Sequence, residues 1–258
     1  IRIDRVPAPT LKAGFVFVQT HFSLISPGTE RSSISARKST LLEKAKRNPE
    51  LVQKVLEQFK QFGILNTYRR VRARLDAASS LGYSASGVVV AVGSGVPGLK
   101  PGDKVACGGG GHANHAEFIL VPKNLCVKVP DGVPLDDAAY PTLGAIALQG
   151  VRQVDPAMGE TVVVIGLGLV GQLTVQLLKA NGCGVIGIDL DEKAVKLAKE
   201  CGADVALGRK GDVKKVVHTY TQGIGADAVI ITAASKSSDP VHLAGELCRE
   251  KGRVVLVG

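Results

Sequence analysis

The chain has 258 residues, of which 45% are hydrophobic and only 4% aromatic, and a formal net charge of +9. That length accommodates one or two domains with a substantial core, and the lack of any eighteen-residue apolar run excludes a membrane-spanning helix. The basic excess is local: residues 30–76 hold twelve Lys/Arg against five Asp/Glu, and the rest holds twenty against eighteen, so the charge does not mark the whole chain as a nucleic-acid binder.

Cys107, Cys126, Cys183, Cys201 and Cys248 are widely spaced and include no C-x-x-C pair. A disulfide framework is therefore not expected, and a reducing, cytoplasmic setting is. Ile1 opens directly in a strand-like pattern, so the expectation is that any upstream leader has been removed or was never there.

In chain order, Ile1 to Ser26 reads as strands, with Phe15–Val18 and Phe22–Ile25 the β-rich parts. Helical signals begin near residue 32. Thr40-Leu41-Leu42-Glu43 has capping-box spacing, Asn48-Pro49 offers an N-cap with proline behind it, and Leu51, Val52, Val55, Leu56, Phe59 and Phe62 recur at helical spacing. Residues 32–78 thus predict a helical hairpin inserted in a β domain. Strands return at 86–93, 104–106, 118–121 and 125–129, punctuated by Gly and Pro, as in a compact barrel. An Ala/Leu-rich helical segment covers 135–151.

From Thr161 the texture becomes strand–helix alternation. The apolar runs 162–165, 185–188, 205–207, 228–231 and 254–257 suit parallel strands covered on both faces. The helix Asp191–Cys201, capped by Asp191 and stopped by Gly202, is one of the connections. The predicted fold is α/β: a barrel-like domain over 1–134 and a doubly wound parallel sheet over 135–258.

Gly166-Leu167-Gly168-Leu169-Val170-Gly171 is a G-x-G-x-x-G placed between an apolar strand and an apolar helix. The first glycine permits the turn, the second lets backbone approach a pyrophosphate, and the third lets helix pack on strand. The helix start presents free N–H groups to the phosphates. Asp189 ends the next strand, where a carboxylate accepts ribose hydroxyls and repels a 2′-phosphate. It is followed by Leu190-Asp191-Glu192 with no arginine, which favours NAD(H) over NADP(H).

With these residues in view, the sequence resembles the medium-chain dehydrogenase/reductase superfamily, the relatives of zinc alcohol dehydrogenase. The carriers are Ile25–Glu30 (ISPGTE), Leu81–Val92 (LGYSASGVVVAV), Gly98–Val105 (GLKPGDKV) and the glycine-rich block. It resembles more closely the front half of bacterial two-part oxidoreductases in which a Gfo/Idh/MocA-type domain follows, often in polysaccharide biosynthesis. The stretches shared there are Leu143–Gln153 and Ala36–Ala45. The resemblance implies a GroES-like catalytic domain and hydride transfer at an alcohol or carbonyl carbon. It also implies Ala233, Ala234, Val257 and Gly258 at the nicotinamide end, and a sixth strand beyond Gly258 through which dimers form.

Zinc-dependent relatives have C-G-T-D where this chain has Pro27-Gly28-Thr29-Glu30, and G-H-E where it has Gly82-Tyr83-Ser84. A catalytic zinc needs three protein ligands, so no metal is expected. Cys107, His112, His115 and Glu117 form a rival cluster, either a metal site or loop polars, and their spacing matches no common zinc pattern.

Without zinc, hydroxyl and imidazole groups must stabilise the developing charge and move the proton. Tyr83, assisted by Ser26, Thr29 or Ser84, is one reading; Tyr83 as a packing residue is the other. Arg69, Arg70, Arg72 and Arg74 are either a solvated face or a lure for an acidic sugar or a partner domain. The expected function is NAD(H)-dependent, zinc-free oxidation or reduction of a small, sugar-like substrate. A dinucleotide-binding module without its own chemistry, serving an attached oxidoreductase domain, is the alternative.

Overall fold

A computed structural model describes residues 2–38, 63 and 80–257. Most of the predicted insert, with Arg69, Arg70, Arg72 and Arg74, lies outside them. The chain divides into two compact units, Ile1–Ala139 and Tyr140–Gly258.

The first unit is an antiparallel sheet. Its strands are β1 (Phe15–Ser23), β2 (Ser84–Val92), β3 (Lys104–Gly108), β4 (Phe118–Pro122) and β5 (Cys126–Lys128), in the order β4-β1-β2-β3-β5. Val16 and Val18 of β1 are fully buried, as are Ala85 on β2 and Val105 on β3, in one shared core. Successive side chains along β1 point to opposite sides, and Val16 and Val18 take the buried one. Expected strand structure before Gly14 is not found: residues 2–12 carry no regular element, consistent with Pro7 and Pro9 in that stretch. Helix α1 (Pro27–Lys38) starts five positions before the expected insert, so the Gly28-Thr29-Glu30 motif is its first turn. Pro27 supplies the preset φ that suits the first helical position.

The second unit has helices α2 (Pro141–Val154), α3 (Leu169–Ala180), α4 (Glu192–Glu200), α5 (Val213–Tyr220) and α6 (Asp239–Leu247). Its parallel strands are β6 (Thr161–Ile165), β7 (Gly184–Asp189), β8 (Val205–Gly208), β9 (Ala226–Ile231) and β10 (Cys248–Leu256), ordered β10-β9-β6-β7-β8. Successive side chains face opposite sides. Val162, Val164, Val185, Ala228 and Ile230 therefore join one buried cluster with α2, α3 and α4. Val163, Ile165, Ile186, Val229 and Ile231 join another with α5 and α6. This two-sided burial explains the unbroken apolar runs. Asp191 caps α4 as expected, accepting from the Lys193 N–H at 2.9 Å.

Candidate functional site

The glycine-rich turn joins β6 to α3. Gly166 has φ +96°, and a Cβ there would lie 2.5 Å from the Ala233 backbone nitrogen. A Cβ at Gly171 would lie 2.0 Å from the Gly166 carbonyl oxygen. Neither position accepts a side chain. Gly168, in contrast, faces open space, with nothing within 4 Å of an added Cβ. It is also the N-cap of α3, and no side chain caps the helix. The result is a bare cradle of backbone N–H groups at the positive end of a helix dipole, which suits an anion.

Asp189, at the end of β7, stands beside this cradle. Its Oδ2 accepts from the Leu167 N–H at 2.5 Å and its Oδ1 from the Asp191 N–H at 2.8 Å. The carboxylate is thus aimed by two backbone donors. Gly166 and Asp189 line a cavity with Leu190, Ala233 and Leu243. Thr232 Oγ1 donates to the Gly166 carbonyl at 2.5 Å and so ties β9 to the turn. Leu169 and Val170 open α3, Leu167 is buried, and Val257 hydrogen-bonds to Ile231. Gly258 lies outside the described residues. The residues present fit the adenosine and diphosphate parts of a dinucleotide.

Sequence reasoning overlooked Arg209. It follows β8 and lines the same cavity, with Nη2 donating to Asp239 at 3.0 Å and with Nε buried and unpartnered among the described residues. The absence of arginine directly after Asp189 therefore did not mean its absence from the site. Parallel strands end along one edge, so the residue after β8 arrives next to the end of β7.

In the first unit, β1 has a register shift between Thr20 and Phe22. The Thr20 N–H donates to the Glu117 carbonyl at 2.9 Å, so the 109–117 loop runs beside the end of β1. Two further contacts fold that loop inward: the His115 N–H donates to the Leu81 carbonyl at 2.8 Å, and Gly82 (φ +92°) leaves only 2.7 Å between an added Cβ and the His115 backbone nitrogen. The His115 ring then bridges two elements. Nδ1 is 2.9 Å from Ser23 Oγ at the end of β1, and Nε2 is 3.0 Å from Glu30 Oε1 in α1. The Ser26 N–H also donates to Glu30 Oε1, at 3.1 Å.

The expected hydroxyls divide. Ser26 is 7% exposed, with Oγ donating to Thr29 Oγ1 at 3.3 Å. Tyr83 is half-buried beside Gly82. Ser84 is fully buried and donates to the Ala139 carbonyl at 2.6 Å, a structural tie between β2 and the segment that ends this unit. The four residues of the rival metal cluster separate. Cys107 contacts Cys126, the His112 ring faces Phe15, and His115 joins Ser23 and Glu30. Among the described residues no three His, Cys, Asp or Glu side chains converge on a metal position. Zinc typifies the family these motifs suggest, yet the donors at Pro27–Glu30 and Tyr83 do not fit it.

Residues 58–131 match the alcohol dehydrogenase GroES-like domain, and residues 170–258 match the zinc-binding dehydrogenase domain. An alcohol dehydrogenase of Geobacillus stearothermophilus is 28% identical over 206 residues, covering 69% of this chain and 60% of its own length. D-guloside 3-dehydrogenase of Escherichia coli (strain K12) is 35% identical over 155 residues, covering 59% of this chain and 44% of its own length. The solved structure of alcohol dehydrogenase TADH from Thermus sp. ATN1 superposes with a TM-score of 0.76 at 22% identity, covering 99% of this chain and 73% of that one. The chain thus spans about 60% of the length of the alcohol dehydrogenases it matches. No helix among the described residues is long and apolar enough to cross a membrane. A GroES-like sheet followed by a Rossmann-type sheet, each matched by its own domain model, makes the chain similar to the zinc-type alcohol dehydrogenase-like proteins of the medium-chain dehydrogenase/reductase superfamily.

Proposed function

We propose that this protein is an NAD(H)-dependent oxidoreductase that interconverts an alcohol and a carbonyl on a small, sugar-derived substrate without zinc. The observation that carries the reading is the open cradle at Gly168 beside a carboxylate, Asp189, already oriented by two backbone donors. Bound there, a nicotinamide dinucleotide would supply the hydride acceptor or donor. The chain's part is to bind and orient. The N–H groups at the start of α3 hold the diphosphate, and Asp189 holds the ribose. Ala233, Ala234, Val257 and Gly258 are assigned to the nicotinamide end.

Preference for NAD(H) over NADP(H) rests on charge. Asp189 repels a 2′-phosphate, and Arg209, the one cation lining the described cavity, is engaged by Asp239. The sugar assignment is supported by the 35% identity to D-guloside 3-dehydrogenase. Tyr83, Ser26 and Thr29 are the hydroxyls assigned to the reacting oxygen; Ser84, spent on Ala139, is assigned a supporting place. A following Gfo/Idh/MocA-type domain and a homodimer complete the proposed whole protein.

Fluorescence titration with NADH and NADPH tests the cofactor reading: NADH binds, and NADPH binds at least tenfold more weakly, a difference of about 1.4 kcal/mol. Absence of NADH binding overturns the reading. Elemental analysis of chelator-free protein is expected to find zinc below one equivalent, and stoichiometric zinc contradicts the metal-free assignment. With an alkyl guloside and NAD+, Tyr83→Phe is expected to lower turnover about a hundredfold. Unchanged turnover returns Tyr83 to packing.

A further inference from the structure

We propose that Cys107 and Cys126 are a redox-modification site, oxidised by a low-molecular-weight disulfide to a cross-strand disulfide that fastens the edge strand β5 to β3 and is released by thiols. The inference stands apart from the dehydrogenase reading, because both cysteines and both strands lie within the first unit.

Strand register brings the two thiols together. Cys107 on β3 is directly opposite Cys126 on β5, and their Sγ atoms are 3.8 Å apart. The kind of pair follows from the adjoining ladder. The Val129 N–H donates to the Lys104 carbonyl at 2.9 Å, and opposite residues alternate between bonded and non-bonded pairs along antiparallel strands. Counting on from Lys104 and Val129, Ala106 and Val127 are a bonded pair, and Cys107 and Cys126 a non-bonded one. Non-bonded pairs hold their Cα atoms about 4.5 Å apart, within the span of roughly 4.4–6.8 Å that a disulfide bridges. Rotation of the two side chains therefore brings the sulfurs to bonding distance with the strands left in place.

Unequal surroundings set the order of events. Cys107 is 3% exposed, in the core with Val16, Val18 and Val105. Cys126 is half-buried, on a three-residue strand at the end of the sheet. An oxidant thus meets Cys126 first. The Cys107 S–H donates to Cys126 Sγ, and this hydrogen bond, opposed by burial, holds the Cys126 thiol below its usual range. Cys126 is accordingly also the readier thiolate. The oxidised product carries no charge and no donor, so the apolar core accommodates it.

Two exchange steps complete the reaction. Cys126 Sγ attacks one sulfur of the small disulfide, whose S–S bond breaks, and the departing thiolate takes up the Cys126 proton. Cys107 Sγ then attacks Cys126 Sγ, the mixed S–S bond breaks, and the second small thiolate leaves with the Cys107 proton. Two protein thiols and one small disulfide thereby become one protein disulfide and two small thiols. In a reducing compartment such a bond is transient, as suits a sensor rather than a framework.

The whole protein, incubated with glutathione disulfide, quenched with N-ethylmaleimide and digested by trypsin without reductant, tests the pair. Cleavage after Lys104, Lys123 and Lys128 separates the two cysteines. The bond is then expected as the peptide 105–123 linked to 124–128, released by dithiothreitol, with Cys183, Cys201 and Cys248 outside it. In Cys107→Ser the second step is blocked, and the glutathione adduct on Cys126 should accumulate at least about tenfold above wild type. Hydrogen exchange at the Val127 and Val129 amides should be at least about tenfold slower in the oxidised protein, because β5 no longer opens alone. A wild-type protein left unlinked, or linked only between molecules or after denaturation, overturns the pair, and this readout needs no variant to fold. Equal exchange in the oxidised and reduced proteins overturns the fastening of β5.

Discussion

Leu167 and Asp189, 22 positions apart, are joined by a 2.5 Å hydrogen bond from the Leu167 N–H to Asp189 Oδ2. One carboxylate thereby braces the glycine-rich turn and lines the cavity beside it, where the proposed ribose would lie. Asp189→Ala removes both contributions. The expected outcome is a 10- to 100-fold weaker NADH affinity, roughly the 1.5–3 kcal/mol of a charge-assisted hydrogen bond. Titration calorimetry measures it, and an unchanged affinity would detach Asp189 from the cofactor.

Two glycines of the same turn predict opposite phenotypes. Gly168→Ala meets nothing within 4 Å, and its φ of −68° suits alanine. Its melting temperature should stay near that of the wild type, while NADH affinity falls about tenfold as the methyl enters the proposed diphosphate position. Gly171→Ala would place a methyl carbon 2.0 Å from the Gly166 carbonyl oxygen. It should destabilise the fold by about 1–3 kcal/mol as an overpacked contact. Thermal melts paired with NADH titration separate the two; equal melting temperatures would refute the distinction.

Acid sensitivity should trace to Asp227, which accepts from Arg249 Nε at 2.7 Å and from the Thr161 N–H at 2.8 Å. Burial pushes its carboxyl up, but the Arg249 hydrogen bond and the Thr161 N–H outweigh this and hold it below the usual carboxylate range. A depressed folded value means that the stabilisation is complete above the ordinary carboxylate pKa, about 4. It is lost as pH falls through the folded value. Asp227→Asn should be less stable by roughly 1 kcal/mol at pH 7, with both partners partly exposed. Its stability should fall less steeply below pH 4 in urea melts. Parallel acid limbs in the two proteins would contradict this.

Cys107 and Cys126 face each other across β3 and β5, with Sγ atoms 3.8 Å apart. Hydrogen bonding to Cys126, together with burial, pushes the Cys107 thiol up, whereas the same contact holds Cys126 below the usual thiol range. Thiolate is the reactive form. Iodoacetamide should therefore alkylate Cys126 well before Cys107, as followed by peptide mass spectrometry, and Cys126→Ser should leave Cys107 unreactive in the folded protein. Faster alkylation of Cys107 would reverse the assignment.

Local patterns in the amino-acid sequence determined the parallel sheet, the glycine-rich turn, the terminal carboxylate and the Asp191 cap, because each depends on neighbours a few positions away. The apolar runs 162–165 and 185–188 suit strands covered on both sides, and Gly166, Gly168 and Gly171 carry a spacing with its own backbone requirement. Only the tertiary structure decided which distant side chains meet. Arg209 reaches the Asp189 cavity because parallel strands share one edge, a relation that spacing does not display. Ser84, a catalytic candidate by position, is consumed by the Ala139 carbonyl, and Ser23, His115 and Glu30 meet because backbone bonds from Thr20 and Leu81 hold the 109–117 loop where Gly82 leaves room for the His115 ring. Helical and strand periods are properties of consecutive residues, whereas the meeting of distant side chains is a property of three-dimensional closure.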